Sequence, residues 1–184
     1  NLADTLLIRT LGMRGVRVDP ERALVTVQAG ALWGDVTPAV AAHGLSALHG
    51  SSPDVGVVGY ALGGGLGWYA RRWGLQAHAI TGATVVTSAG DVVRVDAEHH
   101  PELLWGLRGG GGNFVAVAEL SFRAFRFTRA TAGLLVWDWT QATTVVREWA
   151  RWAEQAPNVV TTSLRLLQLP PIPDIPEPFR GRQL

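Results

Sequence analysis

Short runs of alternating or clustered apolar residues predict six β-strands in the first two thirds of the chain. The runs are residues 6–8, 16–18, 24–29, 80–87, 92–95 and 113–127. Turn-forming residues at 19–22 separate the second run from the third, and those at 88–91 separate the fourth from the fifth. We therefore predict two β-hairpins.

Apolar residues at helical spacing predict helices at residues 33–42, 101–107 and 141–155, and a short helical turn at 68–73. Gly44 and Gly74 follow the first helix and the short turn, as C-terminal glycines commonly do. Pro101 stands at the start of a helix, where its missing N–H costs least.

The composition of the sequence changes after Thr128, because glycine is rare from there on. Two more strands are predicted at residues 134–139 and 159–169, and a proline-rich stretch follows them. We predict an α+β protein with one domain over residues 1–127 and the beginning of a second over residues 128–184. No element closes either end, so we expect the sequence to be part of a longer polypeptide.

One segment, residues 49–67 (HGSSPDVGVVGYALGGGLG), holds seven glycines among nineteen residues. Glycine lets backbone approach a ligand closely, and Ser51, Ser52 and Asp54 add short polar groups. Five apolar residues suit the segment to burial, unlike a flexible linker: Val55, Val57, Val58, Ala61 and Leu62. The pattern therefore predicts backbone wrapped around a polyanionic cofactor.

Composition excludes several kinds of chemistry. The chain has no cysteine, and its 16 basic residues are all arginine, so disulfides, zinc–thiolate sites and a catalytic lysine are excluded. The formal net charge is +1 with both signs spread along the chain, so neither a nucleic acid nor a membrane is predicted as a partner. The localisation stays open, with the cytoplasm favoured because the chain has no cysteine.

The sequence contains no complete phosphate-binding, metal-binding or catalytic motif of the common types. Residues 63–67 lack the Lys-Ser/Thr ending of a P-loop, and no parallel-sheet strand precedes them as a Rossmann turn requires. His99 and His100 are adjacent and have no partner at metal-ligand spacing, so no metal site is predicted. No catalytic base can be identified.

Three segments resemble motifs of the berberine-bridge-enzyme-like flavin oxidases, which belong to the vanillyl-alcohol-oxidase or PCMH-type superfamily. The segments are WGDV at residues 33–36, the glycine-rich run at 50–67 followed by RRWGL at 71–75, and ELLWGLRGGGGNF at 102–114. They stand in the order that the family has. The resemblance implies FAD as cofactor and the second subdomain of a PCMH-type FAD-binding domain, a small antiparallel sheet with helices.

The resemblance also implies that the glycine-rich segment lies along the flavin and its pyrophosphate, with backbone N–H groups as donors. Ser52 stands where some members carry a cysteine bonded to flavin C6, so that bond is excluded. Val55 stands beside C4a, where valine is associated with oxygen access. The implied cofactor-binding residues are Gly50, Ser51, Ser52, Asp54, Val55, Gly56, Gly59, Tyr60, Gly63, Gly64, and, at the adenine end, Ala116 and Val117.

The implied activity is that of an FAD-dependent oxidase. It would oxidise a small alcohol or amine by hydride transfer to flavin N5, with dioxygen as the electron acceptor, and the 184 residues alone are expected to be inactive. One alternative is a dehydrogenase that uses another acceptor. The other is a non-catalytic FAD-binding protein, suggested by Val58, His78 and Val115, which depart from the family pattern.

Overall fold

The structure, a computed structural model, describes residues 7–184, which divide into two compact units. The first unit ends at Arg129 and the second runs from Ala130 to Leu184. Within the described residues, no helix combines the length and the apolar character needed to cross a lipid bilayer.

A five-stranded antiparallel sheet forms the centre of the first unit. Its strands are β1 (Val16–Asp19), β2 (Leu24–Gln28), β3 (Ile80–Val86), β4 (Val92–Asp96) and β5 (Ala116–Arg123). They lie in the order β1-β2-β5-β3-β4, so β5 stands between the β1–β2 and β3–β4 hairpins. Both predicted hairpins are therefore confirmed.

Two predicted strands of this unit differ from the structure. The last strand is shorter than the predicted residues 113–127, because its pairing with β2 ends at Arg123. The predicted strand at residues 6–8 is wrong where it can be checked, since Leu7 and Ile8 belong to no strand. Leu6 lies outside the described residues.

One face of the sheet carries the hydrophobic core. Val25 and Val27 of β2 and Leu120 and Phe122 of β5 are fully buried, and they alternate with residues that are only partly buried. The predicted helices at 33–42 and 101–107 are confirmed as α1 (Trp33–Ala41) and α5 (Pro101–Leu107), and both contribute to the same core.

Three short helices follow α1: α2 (Val57–Leu62), α3 (Ala70–Trp73) and α4 (Gln76–Ala79). The helix α3 falls within the predicted turn at 68–73. The sequence pattern does not predict α2, because glycine is a poor helix former. Only Gly59 lies inside α2, however, and four of its residues are buried in the core, so packing outweighs the weak propensity.

The opposite face of the sheet is polar. Arg17 Nη2 lies 3.2 Å from Glu119 Oε2, and the hydroxyls of Thr26 and Ser121 are hydrogen-bonded at 2.9 Å. The pairing of β3 with β5 shifts register between Ile80 and Gly82, which leaves Thr81 as an exposed bulge. A β-bulge bends the strand and redirects side chains locally.

The second unit contains the predicted amphipathic helix, α6 (Ala142–Gln155), which follows a 3-10 turn at Trp139–Gln141. The strands predicted at residues 134–139 and 159–169 are wrong. In this unit the structure shows only an isolated bridge between Gln168 and Gln183. Strands need hydrogen-bonding partners, and apolar alternation alone does not supply them.

Asp35 fixes the start of α1, and its removal gives a testable change in stability. Its carboxylate accepts hydrogen bonds from the Leu32 N–H at 2.9 Å and from the Arg14 guanidinium, whose Nη2 lies 2.7 Å from Oδ1. These hydrogen bonds, of which the one from Leu32 has the larger effect, hold the pKa of Asp35 below its usual range. Asp35→Ala is expected to destabilise the protein by about 1 kcal/mol at neutral pH.

The sign of the pH dependence follows from the lowered pKa. The contribution of Asp35 is complete above the unfolded-state pKa, about 3.9, and is lost as the pH falls from there through the lower native pKa. Urea unfolding between pH 3 and 7 should show the two proteins converging below pH 4. Asp91→Ala, which removes an exposed carboxylate, is the control, and a pH-independent difference would contradict this account.

Candidate functional site

The segment between Leu48 and α2 forms an exposed loop beside the start of α1. A depression of about 240 Å³ lies along it, lined by Trp33, Thr37, His49, Gly50, Ser51, Ser52, Pro53 and Trp68. Residues 51–55 are exposed, and Val55 retains 40% of its accessible surface. The prediction that Val55 is buried with the other apolar residues of the segment is therefore wrong, since the chain turns inward only at Val57.

The loop is tied to α1 through its carbonyl groups. The first two N–H groups of α1 donate to it, from Trp33 to the Val55 carbonyl at 3.0 Å and from Gly34 to the Pro53 carbonyl at 2.7 Å. These bonds satisfy donors that a helix start leaves without an internal partner. They hold the loop in place through two of its carbonyl oxygens.

The N–H groups of the same loop are free to bind something else. Those of Ser51, Ser52, Asp54 and Val55 donate no hydrogen bond within residues 7–184. Backbone N–H groups exposed together on one loop form a site for anionic or acceptor atoms. The loop thus uses the Pro53 and Val55 carbonyls to hold α1 and leaves these four N–H groups without a partner in the described chain.

A glycine face on α2 continues this surface. Gly56, Gly59 and Gly63 are spaced to lie on one side of the helix, opposite the buried residues Val57 and Ala61. A Cβ built on Gly56 or Gly59 would meet no atom within 4 Å. The helix backbone is therefore accessible from that side, and no neighbouring part of the described chain occupies the space.

His49 braces the beginning of the loop. Its Nδ1 lies 2.8 Å from the Gly50 carbonyl, which can only accept, so the Nδ1–H donates. Its Nε2 then accepts from the Tyr69 hydroxyl at 3.5 Å, and the two rings meet edge to face at 5.5 Å. Gly67 passes so close that a Cβ there would lie 2.2 Å from the His49 carbonyl oxygen.

Tyr60 supports the loop from beneath. Its hydroxyl donates to the Leu48 carbonyl at 3.2 Å, and its ring packs edge to face on Trp33 with 5.5 Å between centroids. Burial raises the pKa of Tyr60 to about 12. The hydroxyl is therefore protonated at neutral pH, and its hydrogen bond is made within the protein. A direct contact between Tyr60 and the cofactor remains a prediction.

The last turn of this segment needs glycine for its conformation. Gly64 and Gly65 have φ angles of 108° and 74°, and their carbonyls accept from the Ala77 and Gln76 N–H groups at 2.9 and 3.0 Å. Other residues rarely adopt such angles. Through these two hydrogen bonds the turn after α2 contacts the start of α4, although α3 lies between them in the sequence.

The second glycine cluster, residues 109–112, is attached to the end of α2. The Gly111 N–H donates to the Leu62 carbonyl at 2.9 Å, and the Arg108 guanidinium donates to the Ile80 carbonyl at 2.7 and 3.0 Å. The hydrogen bond between Leu62 and Gly111 thus joins two motifs across 49 residues of the sequence.

The predicted residues Ala116 and Val117 lie elsewhere in the unit. They begin β5, paired with Val86 and Val85 of β3, and they do not line the depression beside the loop. Ten of the twelve predicted residues lie in the loop and α2, between Gly50 and Gly64, whereas these two lie at the sheet.

Five residues that line the depression were absent from the predicted set: Trp33 and Thr37 of α1, His49 and Pro53 of the loop itself, and Trp68. Trp33 belongs to the motif at residues 33–36, so the sequence alone could have identified it. Thr37 lies one turn of α1 further along, and only the fold brings it and Trp68 to the loop.

Comparison with known proteins gives a consistent result. Residues 1–96 match the family described as FAD binding domain, which is just over half of the chain. (R)-6-hydroxynicotine oxidase of Paenarthrobacter nicotinovorans is 36% identical over 126 residues, which is 68% of this chain and 28% of that protein.

Solved structures show the same relationship. Glucooligosaccharide oxidase of Acremonium strictum has a TM-score of 0.70 at 31% identity, over 82% of this chain and 32% of that one. BBE-like 1 of Physcomitrella patens has a TM-score of 0.61 at 29% identity, over 65% of this chain and 26% of that one. The chain spans about a third of the length of the curated relatives it matches.

Proposed function

Because the chain belongs to the FAD-binding domain family, among the berberine-bridge-enzyme-like flavoproteins, we propose that it supplies part of the FAD site of an FAD-dependent oxidoreductase. The observation that carries this proposal is the set of N–H groups on Ser51, Ser52, Asp54 and Val55 that have no partner in the described chain, beside the open glycine face of α2. A flat, acceptor-rich cofactor with a pyrophosphate fits such a surface.

The proposed contacts divide between two parts of the segment. The N–H groups of the loop donate to acceptor atoms of FAD, and the face of Gly56, Gly59 and Gly63 lets the cofactor approach the helix backbone. Asp54 contributes through its N–H, because its carboxylate would repel a phosphate. Ala116 and Val117 remain proposed contacts at the adenine end.

The proposed reaction is the two-electron oxidation of an alcohol or an amine. Bound FAD supplies the hydride acceptor for this chemistry, at flavin N5, and dioxygen is the proposed final electron acceptor. The part of this chain is to bind and orient the cofactor. Val55, whose side chain is exposed at the end of the loop, is proposed to control the approach of oxygen.

The relatives suggest which substrates to test. The named relatives are oxidases of 6-hydroxynicotine and of xylo-, chito- and glucooligosaccharides. We propose a small molecule with an oxidisable alcohol or amine for the protein that contains this chain. Residues 128–184, which include the second unit, are proposed to begin its substrate domain.

The proposal is tested on the full-length protein. We expect it to purify yellow, to lose its flavin absorbance when an oligosaccharide or a cyclic amine is added without oxygen, and to recover it within seconds in air. Slow recovery would indicate a dehydrogenase instead. A yellow protein that no substrate reduces would favour the non-catalytic alternative, and a folded protein that takes up no FAD would refute the proposal.

A further inference from the structure

A second depression lies on the polar face of the sheet, and none of the residues proposed to bind FAD lines it. It is shallow, with a volume of about 300 Å³, and three arginines surround it: Arg22, Arg94 and Arg123. The hydroxyl-bearing residues Thr81 and Ser121 complete its polar lining.

The strand order brings these residues together from distant parts of the sequence. Arg123 stands at the end of β5 opposite Leu24 of β2, and Arg22 belongs to the turn just before β2. Arg94 lies on β4, on the other side of β3. Because β5 stands between the two hairpins, all three arginines reach the same part of the open face.

The positive charge of this cluster is mostly uncompensated. Arg94 Nε lies 2.8 Å from Asp96 Oδ2. In the described part of the chain, the Arg22 guanidinium has no hydrogen bond or ion pair, and that of Arg123 lies over the Phe125 ring at 5.2 Å. Among the described ion pairs, Asp96 is the carboxylate paired with one of the three guanidinium groups, and the Asp19 carboxylate accepts from the Arg22 backbone N–H at 3.0 Å. An anion between the arginines would lower their mutual repulsion.

The bulge in β3 shapes the floor of the depression. Gly82 contributes no side chain to it, and a Cβ there would lie 2.8 Å from the Val95 carbonyl oxygen, so β3 passes close to β4 at this point. The bulged Thr81 is exposed at the rim. The result is an open space with guanidinium and hydroxyl donors around it.

We propose that this depression binds the phosphate group of a small phosphorylated molecule. Guanidinium groups present paired N–H donors that match the oxygens of a phosphate, and a dianion balances the two arginines that lack a carboxylate partner. This site is separate from the FAD site and does not depend on the proposed reaction.

The test is a titration of the full-length, FAD-loaded protein with inorganic phosphate by calorimetry, with sodium chloride used to keep the ionic strength constant. We expect saturable binding of one phosphate. R22Q and R123Q should each weaken it about tenfold or more, the effect of removing a charged hydrogen-bond donor. R17Q is the matched control, because Arg17 lies on the same face but is paired with Glu119 and lies outside the depression.

Arg22 is exposed in a surface turn, so R22Q should fold normally, and its urea midpoint checks this. Saturable binding that R22Q weakens and R17Q leaves intact supports the proposal. Three results would overturn it: no saturable binding, acetate binding as tightly as phosphate, or equal losses in R22Q and R17Q. Displacement of FAD by phosphate would likewise place the anion in the cofactor site and overturn it.

Discussion

Gly59→Ala is expected to fold at least as stably as the wild type and yet to bind FAD at least tenfold more weakly. Gly59 lies inside α2, where alanine is favoured over glycine by about 0.5–1 kcal/mol, and a Cβ there would meet no protein atom within 4 Å. The new methyl group would instead occupy the open glycine face, where we propose that the cofactor contacts the helix backbone.

The measurement combines urea unfolding with FAD titration of the full-length apo-protein. Gly133→Ala is the control, because a Cβ there also meets nothing within 4 Å and the residue lies in the second unit. Gly133→Ala should change neither the stability to urea nor the affinity for FAD. If Gly59→Ala retains the wild-type affinity for FAD, the cofactor does not lie on the glycine face of α2.

Gly67→Ala is expected to have the largest effect on stability, a loss of about 3 kcal/mol. The added Cβ would lie 2.2 Å from the His49 carbonyl oxygen and 2.9 Å from the Tyr60 hydroxyl. The first of these is a backbone atom, so relief requires the chain at His49 to move. That movement would also disturb the loop at residues 50–55 and lower the FAD content of the purified protein.

The urea midpoint of Gly67→Ala measures the first effect and the flavin-to-protein absorbance ratio measures the second. Gly63→Ala is the control for stability, since its Cβ would be 3.5 Å from the nearest atom, an ordinary contact. Its unfolding free energy should stay within about 0.5 kcal/mol of the wild type. An unchanged midpoint for Gly67→Ala would mean that the two segments are not in close contact.

Elements with strong local signals could be predicted from the sequence. Pro101 and the glycines after Arg108 bound α5, and the turn residues at 19–22 and 88–91 mark the two hairpins. In each case the signal lies within or beside the element. The resemblance of three short motifs likewise predicted the family and the cofactor, both of which are confirmed.

What could not be predicted depends on contacts between distant residues. The helix α2 forms because its apolar residues are buried against the core, which outweighs Gly59. The apolar runs at residues 134–139 and 159–169 indicate strands, but pairing decides whether strands form, and the second unit supplies no ladder for them. The arginines on the polar face are likewise brought together only by the strand order.

The central position of β5 determines when this unit can fold during synthesis. The hairpins β1–β2 and β3–β4 each expose an edge that β5 later covers, and β5 ends at Arg123. Until the ribosome has released residue 123, both edges stay open to pairing with other chains, the usual route to aggregation. A truncation at residue 96, where the family match ends, would remove this strand and should yield insoluble protein.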